Sequence, residues 1–450
     1  MTGRRIFIPN LHRNGAYVLA VMANKSGYEV FTSTDHPGMP YTRCRWVQDY
    51  LYIAPPPERN GSPQQLADYV AALVAFMRRN AIDIVFPTND ADIRIVFAAR
   101  EQFAEYSVWA PDEGLFETLS SKFSSLETLG PLGVPIPAHQ AVSTLEDAQI
   151  LLSRWGYPVI AKRAHSTGGR GVAVCRSQAE LVRFLEARQP VVLQEWLSGN
   201  DEVSFHFLFD RQGNTILRFS LRKYRHLAPS VSTAISVIDD PAEISLVETA
   251  LKSLNAVGFF VVQMRFCPRL KAYKFVEVNC RFGSNTRMLC ALVPRLFSLF
   301  AQVMEGGGDL TFVEVKPSVR CISVVEDCYG FVRNTYALLL DRLTGGHRSQ
   351  IVSFRNFAGQ FFLDMFNFRN KRDLLWRRLG TDTIGILRMY RAMFRAFTLS
   401  RSSIENMKLA AVWCPPAVDA AAARRRGQPA AGSAEDERPQ PPAQHHTSGR

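Results

Sequence analysis

The chain has 450 residues, 47% of them apolar and 21% charged, which suits a folded protein of about three domains and excludes a disordered or fibrous one. No apolar run approaches the roughly 20 residues that span a bilayer. The eight cysteines show no CxxC spacing, which argues for reduced thiols against zinc or a disulfide framework, and the net charge of +12 suits an anionic ligand.

MTGRR runs straight into the apolar IFIPN, too short a lead for a signal-peptide core, so a cytoplasmic location is expected. Residues 6–10 and 28–34 predict strands, with a helix over 15–27 between them. A Pro-rich loop at Pro55–Pro57 precedes an amphipathic helix over 62–80, then a strand over 83–89 and a helix over 91–106. This alternation predicts a parallel sheet covered on both faces, a Rossmann-like βαβ domain over 1–112. No GxGxxG follows the first strand, so a dinucleotide is not its ligand.

Residues 113–310 carry a different pattern. A connector helix breaks at Gly130, Pro131 and Gly133, and two capping boxes, Ser143 to Glu146 and Ser177 to Glu180, start helices. From 158 to 280 the strands come in pairs joined by tight turns, as in VSFHFLF–DRQGN–TILRFSL, the mark of antiparallel sheet with helices on one side. Between Arg342 and Arg401, twelve Lys/Arg stand against three Asp/Glu, with apolar residues at helical spacing. Residues 311–414 therefore predict a mostly helical basic region, a lid or interface, or else a peripheral membrane contact through 342–401. From Pro415 to Arg450 aliphatic residues are too few for a core, and a disordered tail is expected. The basic residues lack the aromatic interleaving of a nucleic-acid binder, so no nucleic acid is expected as partner.

The chemistry concentrates between Lys122 and Arg281. Lys162 sits at the centre of the strand VIAKRA, where a lysine among apolar neighbours is costly unless paired. The loop STGGRG follows, with Ser166, Gly168, Gly169, Arg170 and Gly171, whose backbone N–H groups can approach phosphate oxygens closely. QEWL supplies Glu195, Trp196 and Leu197, and Glu202 lies seven positions after Glu195. Glu277 and Asn279 are two apart on a strand and share one face, with Arg281 on the same parity. With Gln263 they offer hard oxygen ligands for Mg2+ (or Mn2+) but one formal charge, a set that needs a triphosphate to complete it.

The ordered set from Lys122 to Arg281 resembles the ATP-grasp superfamily, with the ATP-binding domains of carbamoyl-phosphate synthetase large subunits and related carboxylate–amine ligases nearest in pattern. The resemblance spans about residues 5–310. It implies an N-terminal pre-ATP-grasp domain and a two-lobed ATP-grasp domain with antiparallel sheets. It also implies that Lys162 and Lys122 meet ATP, and that Ser166, Gly168, Gly169 and Gly171 close over the β- and γ-phosphates. Glu195 and the backbone of Trp196 and Leu197 would hold adenine, Glu202 the ribose hydroxyls, and Gln263, Glu277 and Asn279 the metal. Arg281 would hold the γ-phosphate or an acyl phosphate; Arg222, and less strongly Arg287, would anchor an anionic substrate. The expected activity is ATP-dependent ligation of a small carboxylate to an amine. A kinase or carboxylase of the same superfamily stays open, as does a nucleotide-binding module docked on a membrane or biosynthetic complex. Sequence says nothing of oligomeric state.

Overall fold

Short apolar strands separated by amphipathic helices build the first sheet. A computed structural model of the chain describes residues 3–11, 15–35, 46–57, 61–164, 171–186, 191–198, 201–228, 231–283, 285–307, 310–324, 327–328, 330–331, 359, 361–363, 366–367 and 371–372. Ser166, Gly168, Gly169 and Arg170, most of the basic segment 342–401, and the tail 415–450 lie outside them.

Strands β1 (Arg5–Ile8), β2 (Glu29–Thr34), β3 (Val47–Tyr52), β4 (Ile84–Val85) and β5 (Ser107–Val108) form a parallel sheet in the order β3-β2-β1-β4-β5. Alternate residues bury on opposite faces: Ile6, Ile8 and Ile84 pack with helix α1 (Ala16–Lys25), while Phe7, Phe31 and Val85 pack with α2 (Pro63–Arg79). The predicted strand 83–89 pairs only over Ile84–Val85, and Pro87, with no N–H to give, limits the ladder beyond it. Helix α3 (Asp90–Ala98) is shorter than the predicted 91–106; Asn89 caps it by accepting from Ala91 N and Asp92 N.

The connector folds as helices α4 (Glu113–Ser120) and α5 (Ser124–Leu129), broken at Gly130 as expected. A small antiparallel sheet follows, ordered β6 (His139–Val142), β9 (Val191–Glu195), β7 (Val159–Arg163), β8 (Val172–Cys175). Helices α6 (Leu145–Trp155) and α7 (Gln178–Leu185) cover one face, burying Val159 and Ala161. The box at α6 is one residue later than predicted: Thr144 Oγ1 accepts from Asp147 N at 3.2 Å and Asp147 Oδ2 accepts from Thr144 N at 3.0 Å. Threonine and aspartate serve these positions as well as serine and glutamate, so spacing alone left the register open. At α7 half of the expected box forms: Ser177 Oγ accepts from Glu180 N at 3.4 Å, while Glu180 Oε2 accepts from Arg176 N and not from Ser177 N.

The large sheet runs β14 (Ala272–Asn279), β13 (Gly258–Cys267), β10 (Glu202–Phe209), β11 (Thr215–Ala228), β12 (Val231–Ile238), β16 (Cys321–Ile322), β17 (Lys371–Arg372), with β15 (Val313–Glu314) on β11. Val203, Phe205, Phe207 and Phe209 face α8 (Glu243–Ser253), α4 and α5. On the other face, Leu208, Phe219 and Phe259 join the core made with α1, α9 (Thr286–Leu292) and α10 (Leu296–Met304). That shared core fixes the parallel sheet against the large one. Gly15, at φ +89°, marks how close they come: a Cβ there would lie 3.0 Å from Thr286 Cβ. Among the described residues no single helix is long and apolar enough to cross a membrane; α9 and α10 together pass by composition but bend by 103° and bury most of their residues in this core.

Among the described residues after 310, a buried ion pair reinforces the pairing of β15 and β16 with the sheet. Arg225 on β11 donates from Nε and Nη2 to Asp327 at 2.9 and 2.7 Å, with side chains 3% and 1% exposed. Asp327→Ala strands a buried guanidinium and is expected to cost about 3–5 kcal/mol of stability in urea unfolding. Replacing both partners with apolar residues of similar volume should recover most of it.

Candidate active site

The exposed-to-buried logic of the two antiparallel sheets brings the charged residues together. On β7 the even-numbered Lys162 points away from the face that α6 and α7 cover, and its Nζ donates to Val276 O on β14 at 3.1 Å. It is 7% exposed. Burial pushes its amine down to about 8; Glu277 and Glu202 oppose this, and Lys122 and Arg265 add to it. Lys122 enters beside it, its backbone N bonded to Ala164 O at 2.9 Å, its own amine also pushed down by burial against Glu277 and Asp90.

Strand register places Gln263 opposite Glu277 and Asn279 opposite Val261. Gln263 Nε2 donates to Glu277 Oε1 at 2.8 Å, and Asn279 Nδ2 lies 3.5 Å from the same oxygen. Two amide side chains thus converge on one carboxylate. The set fits a divalent cation by donor chemistry: amide and carboxylate oxygens with a single formal charge. Among the described residues no cluster of three His, Cys, Asp or Glu offers a rival metal site.

Two cations that sequence did not single out for the site line this face. Lys223 donates to Glu202 and, at 3.0 Å, to Gln263 Oε1; Arg265 Nη2 donates to Glu202 Oε2 at 3.2 Å. Both Glu202 oxygens are therefore engaged by cations, a geometry that does not by itself present them to a sugar. Next to this pair, His206 lies flat on Phe219 at 4.7 Å between ring centres. Burial, with Lys223 adding, pushes its imidazole down to about 3, so it is neutral at physiological pH.

Arg281 is held from the other side. Its Nε and Nη2 donate to Asp90 Oδ1 and Oδ2, each at 2.7 Å, and Nη1 to Phe282 O at 3.1 Å. Asp90 belongs to the parallel-sheet domain and was not foreseen; the partners stand 191 positions apart and no local pattern links them. A cavity of about 40 Å³ sits here, lined among others by Asp90, Arg94, Lys122, Glu277, Asn279 and Arg281. Six cations (Arg94, Lys122, Lys162, Lys223, Arg265, Arg281) face three carboxylates (Asp90, Glu202, Glu277) across this linked set, an excess that favours a polyanion.

Other predicted residues fall elsewhere. Arg222 is a correction: it lies on the opposite face of the large sheet, bonded to Asp201 at 3.0 Å and Tyr273 Oη at 3.3 Å, away from Glu277. Adjacent strand residues face opposite ways, so Lys223 takes the inward place. Arg287 donates to Ser323 Oγ at 2.6 Å. Glu195 is bound by Lys274 Nζ at 2.6 Å, Ala138 N at 3.0 Å and Arg269 at 3.3 Å, while Leu197 is buried. Trp196 follows on the same stretch after β9, and Gly171, at φ +70°, accepts from Arg163 N at 2.8 Å at the base of the glycine loop.

Comparison with known proteins gives the class. Residues 122–288 match the family described as carbamoyl-phosphate synthase L chain, ATP binding domain. The carbamoyl phosphate synthase large chain of Pyrococcus furiosus is 26% identical over 196 residues, 40% of this chain; the match spans 18% of that protein's length. Among solved structures, the biotin carboxylase domain of 2-oxoglutarate carboxylase from Hydrogenobacter thermophilus, in complex with MgADP and bicarbonate, superposes with a TM-score of 0.59 at 16% identity over 71% of this chain and 73% of that one. N5-carboxyaminoimidazole synthetase from Staphylococcus aureus, complexed with ADP, gives 0.57 at 17% identity over 70% and 81%. The resemblance read in the sequence is borne out: residues 122–288 are similar to the ATP-binding domain of carbamoyl-phosphate synthase large chains. The solved structures share its fold, a mixed α/β architecture with antiparallel sheets.

The lysine shift has a measurable consequence. Affinity for a non-hydrolysable ATP analogue is expected to fall as pH rises through about 8, where Lys162 loses its proton, and Lys162→Arg should remove that step. Stability runs the other way. Between about 8 and the ordinary value of 10.5 the unfolded chain holds a proton that the folded one has released, so this lysine makes unfolding harder as pH rises.

Proposed function

We propose that the protein is an ATP- and Mg2+-dependent ligase that activates a small carboxylate as an acyl phosphate for attack by an amine, releasing ADP and phosphate. The observation that carries this is the convergence of Gln263, Glu277 and Asn279 on one face, opposite Lys162 from the second sheet. The matching ATP-binding family and the ADP bound by the fold relatives point the same way. In this proposal residues 1–112 are a Rossmann-like pre-ATP-grasp domain, 113–310 the two-lobed ATP-grasp domain, and 311–414 a basic, mostly helical region.

ATP lies between the sheets. Lys162 and Lys122 hold its phosphates, and the loop carrying Ser166, Gly168, Gly169 and Gly171 covers them. Adenine lies against Leu197 with its edge on the backbone of Trp196 and Leu197, since the Glu195 carboxylate is committed to Lys274 and Ala138 N. Glu202 serves through Lys223 and Arg265, which it orients toward the phosphates and Gln263. Glu277, Asn279 and Gln263 would hold Mg2+. When bound, the ion neutralises phosphate charge and polarises the γ-phosphoryl group.

The substrate carboxylate attacks the γ-phosphorus in line; the bond to the β-phosphate oxygen breaks and ADP leaves with that electron pair. Arg281 steadies the transferring group with the N–H bonds that Asp90 and Phe282 do not take. The amine then adds to the acyl carbon and phosphate departs. Positioning and fixed charge supply the catalysis, so no covalent nucleophile on the protein is required.

The bicarbonate bound in the Hydrogenobacter relative favours a second version, in which the activated acid is bicarbonate and the enzyme a carboxylase. An ADP-release screen crossing carboxylates, bicarbonate included, with amines separates the two. Release that needs both a carboxylate and an amine supports ligation; release with bicarbonate in place of every organic acid selects the carboxylase; no release under any pairing overturns both.

A further inference from the structure

We propose that Asp90, a residue of the parallel-sheet domain, is a positioning residue for Arg281, so that the ATP site is complete only with that domain in place. The inference rests on the nucleotide site described above and adds a residue that the ATP-grasp segment itself does not contain. The pair is two-pronged, at 2.7 Å on both arms, with each side chain 10% exposed.

Three features make it more than a tie between domains. First, Asp90 opens α3, where the helix N-terminus favours a carboxylate, and burial, which would push its carboxyl up, is outweighed by Arg281 with Arg94 and Lys122, so it stays charged. Second, the backbone beside Arg281 is immobilised: Phe282 stacks on Phe259 at 4.3 Å and meets Phe300 edge-on at 5.0 Å. Arg281 therefore cannot follow its partner if the partner moves. Third, the pair fronts the same small cavity as Glu277 and Asn279, and only three of the five guanidinium N–H bonds have partners among the described residues. The remaining two are aimed by the grip on the other side of the fork.

A carboxylate this close to bound phosphates also repels them. Apolar packing would join the two domains at no such cost, and buried ion pairs are seldom the most stable choice. Orientation of Arg281 is what Asp90 supplies in return.

The two effects separate in one experiment. Dissociation constants for ADP and for a non-hydrolysable ATP analogue, both with Mg2+, are measured by calorimetry on the full-length protein and on Asp90→Asn. Removing charge alone tightens both nucleotides together. Losing orientation weakens only the contact to the γ-phosphate, so the preference for the triphosphate over ADP should drop by about tenfold. Arg281→Lys, which keeps charge and loses the fork, should drop it similarly, and Asp90→Asn combined with Arg281→Lys should add nothing further. Asp90→Glu keeps the pair but displaces the fork; it should give a smaller drop and carries the test should the asparagine variant not fold. An unchanged preference in Asp90→Asn or Asp90→Glu, or equal weakening of both nucleotides, overturns the proposal while leaving the ATP site standing. Failure of the wild-type protein to bind either nucleotide overturns it together with the ligase.

Discussion

Glu277→Ala should abolish ADP formation, lowering turnover by at least about 10³-fold, the scale of several kcal/mol lost from the transition state. Glu277 is the one carboxylate on which Gln263 and Asn279 converge, and it also offsets the burial of Lys162 and Lys122. Its removal takes the only formal charge from the proposed metal set and leaves two amide side chains, which bind Mg2+ weakly. Structure should survive, because the side chain is only partly buried and the core face of β14 keeps its apolar residues Phe275 and Val278. A thermal midpoint within a few degrees of wild type, with ADP release gone, is the expected pair of results. Wild-type turnover in this variant would remove the metal assignment.

Lys162→Ala should weaken binding of the ATP analogue by about 10²-fold, the worth of a charge-assisted hydrogen bond or two in a dry site. The amine bridges the two sheets of the grasp, donating to Val276 O from a buried position. Its loss removes charge from the proposed nucleotide site and unties the small sheet from β14. The structural cost is small, since the cation is itself expensive to bury. Binding should therefore fall far more than stability. Equal loss of both would make Lys162 a structural tie between lobes, with no part in holding nucleotide.

How far the site could be read in advance depended on whether its contacts were local. Glu277 and Asn279, alternating with the apolar Val276 and Val278, are a strand-parity statement, complete within four residues. Lys162 was legible for a similar reason, as a charge at the centre of an apolar strand. Arg222 against Lys223 was not, because the choice of inward residue rests on the β10–β11 register, and that ladder becomes irregular on the β12 side just after Lys223. Glu195 was expected at adenine, yet Lys274 and Arg269, 79 and 74 positions away, claim its carboxylate. Asp90 had no signal at all. Parallel pairing of the first sheet followed from the alternation of strands and helices, while its strands proved shorter wherever proline or turn residues withheld ladder hydrogen bonds.

The most direct measurement is anomalous diffraction from crystals grown with Mn2+ and the non-hydrolysable ATP analogue. Manganese should lie in contact with the Glu277 carboxylate and the Asn279 side-chain oxygen, with the triphosphate between it and Lys162. Manganese bound anywhere else, or a nucleotide seated away from Lys162, would contradict this assignment of the site.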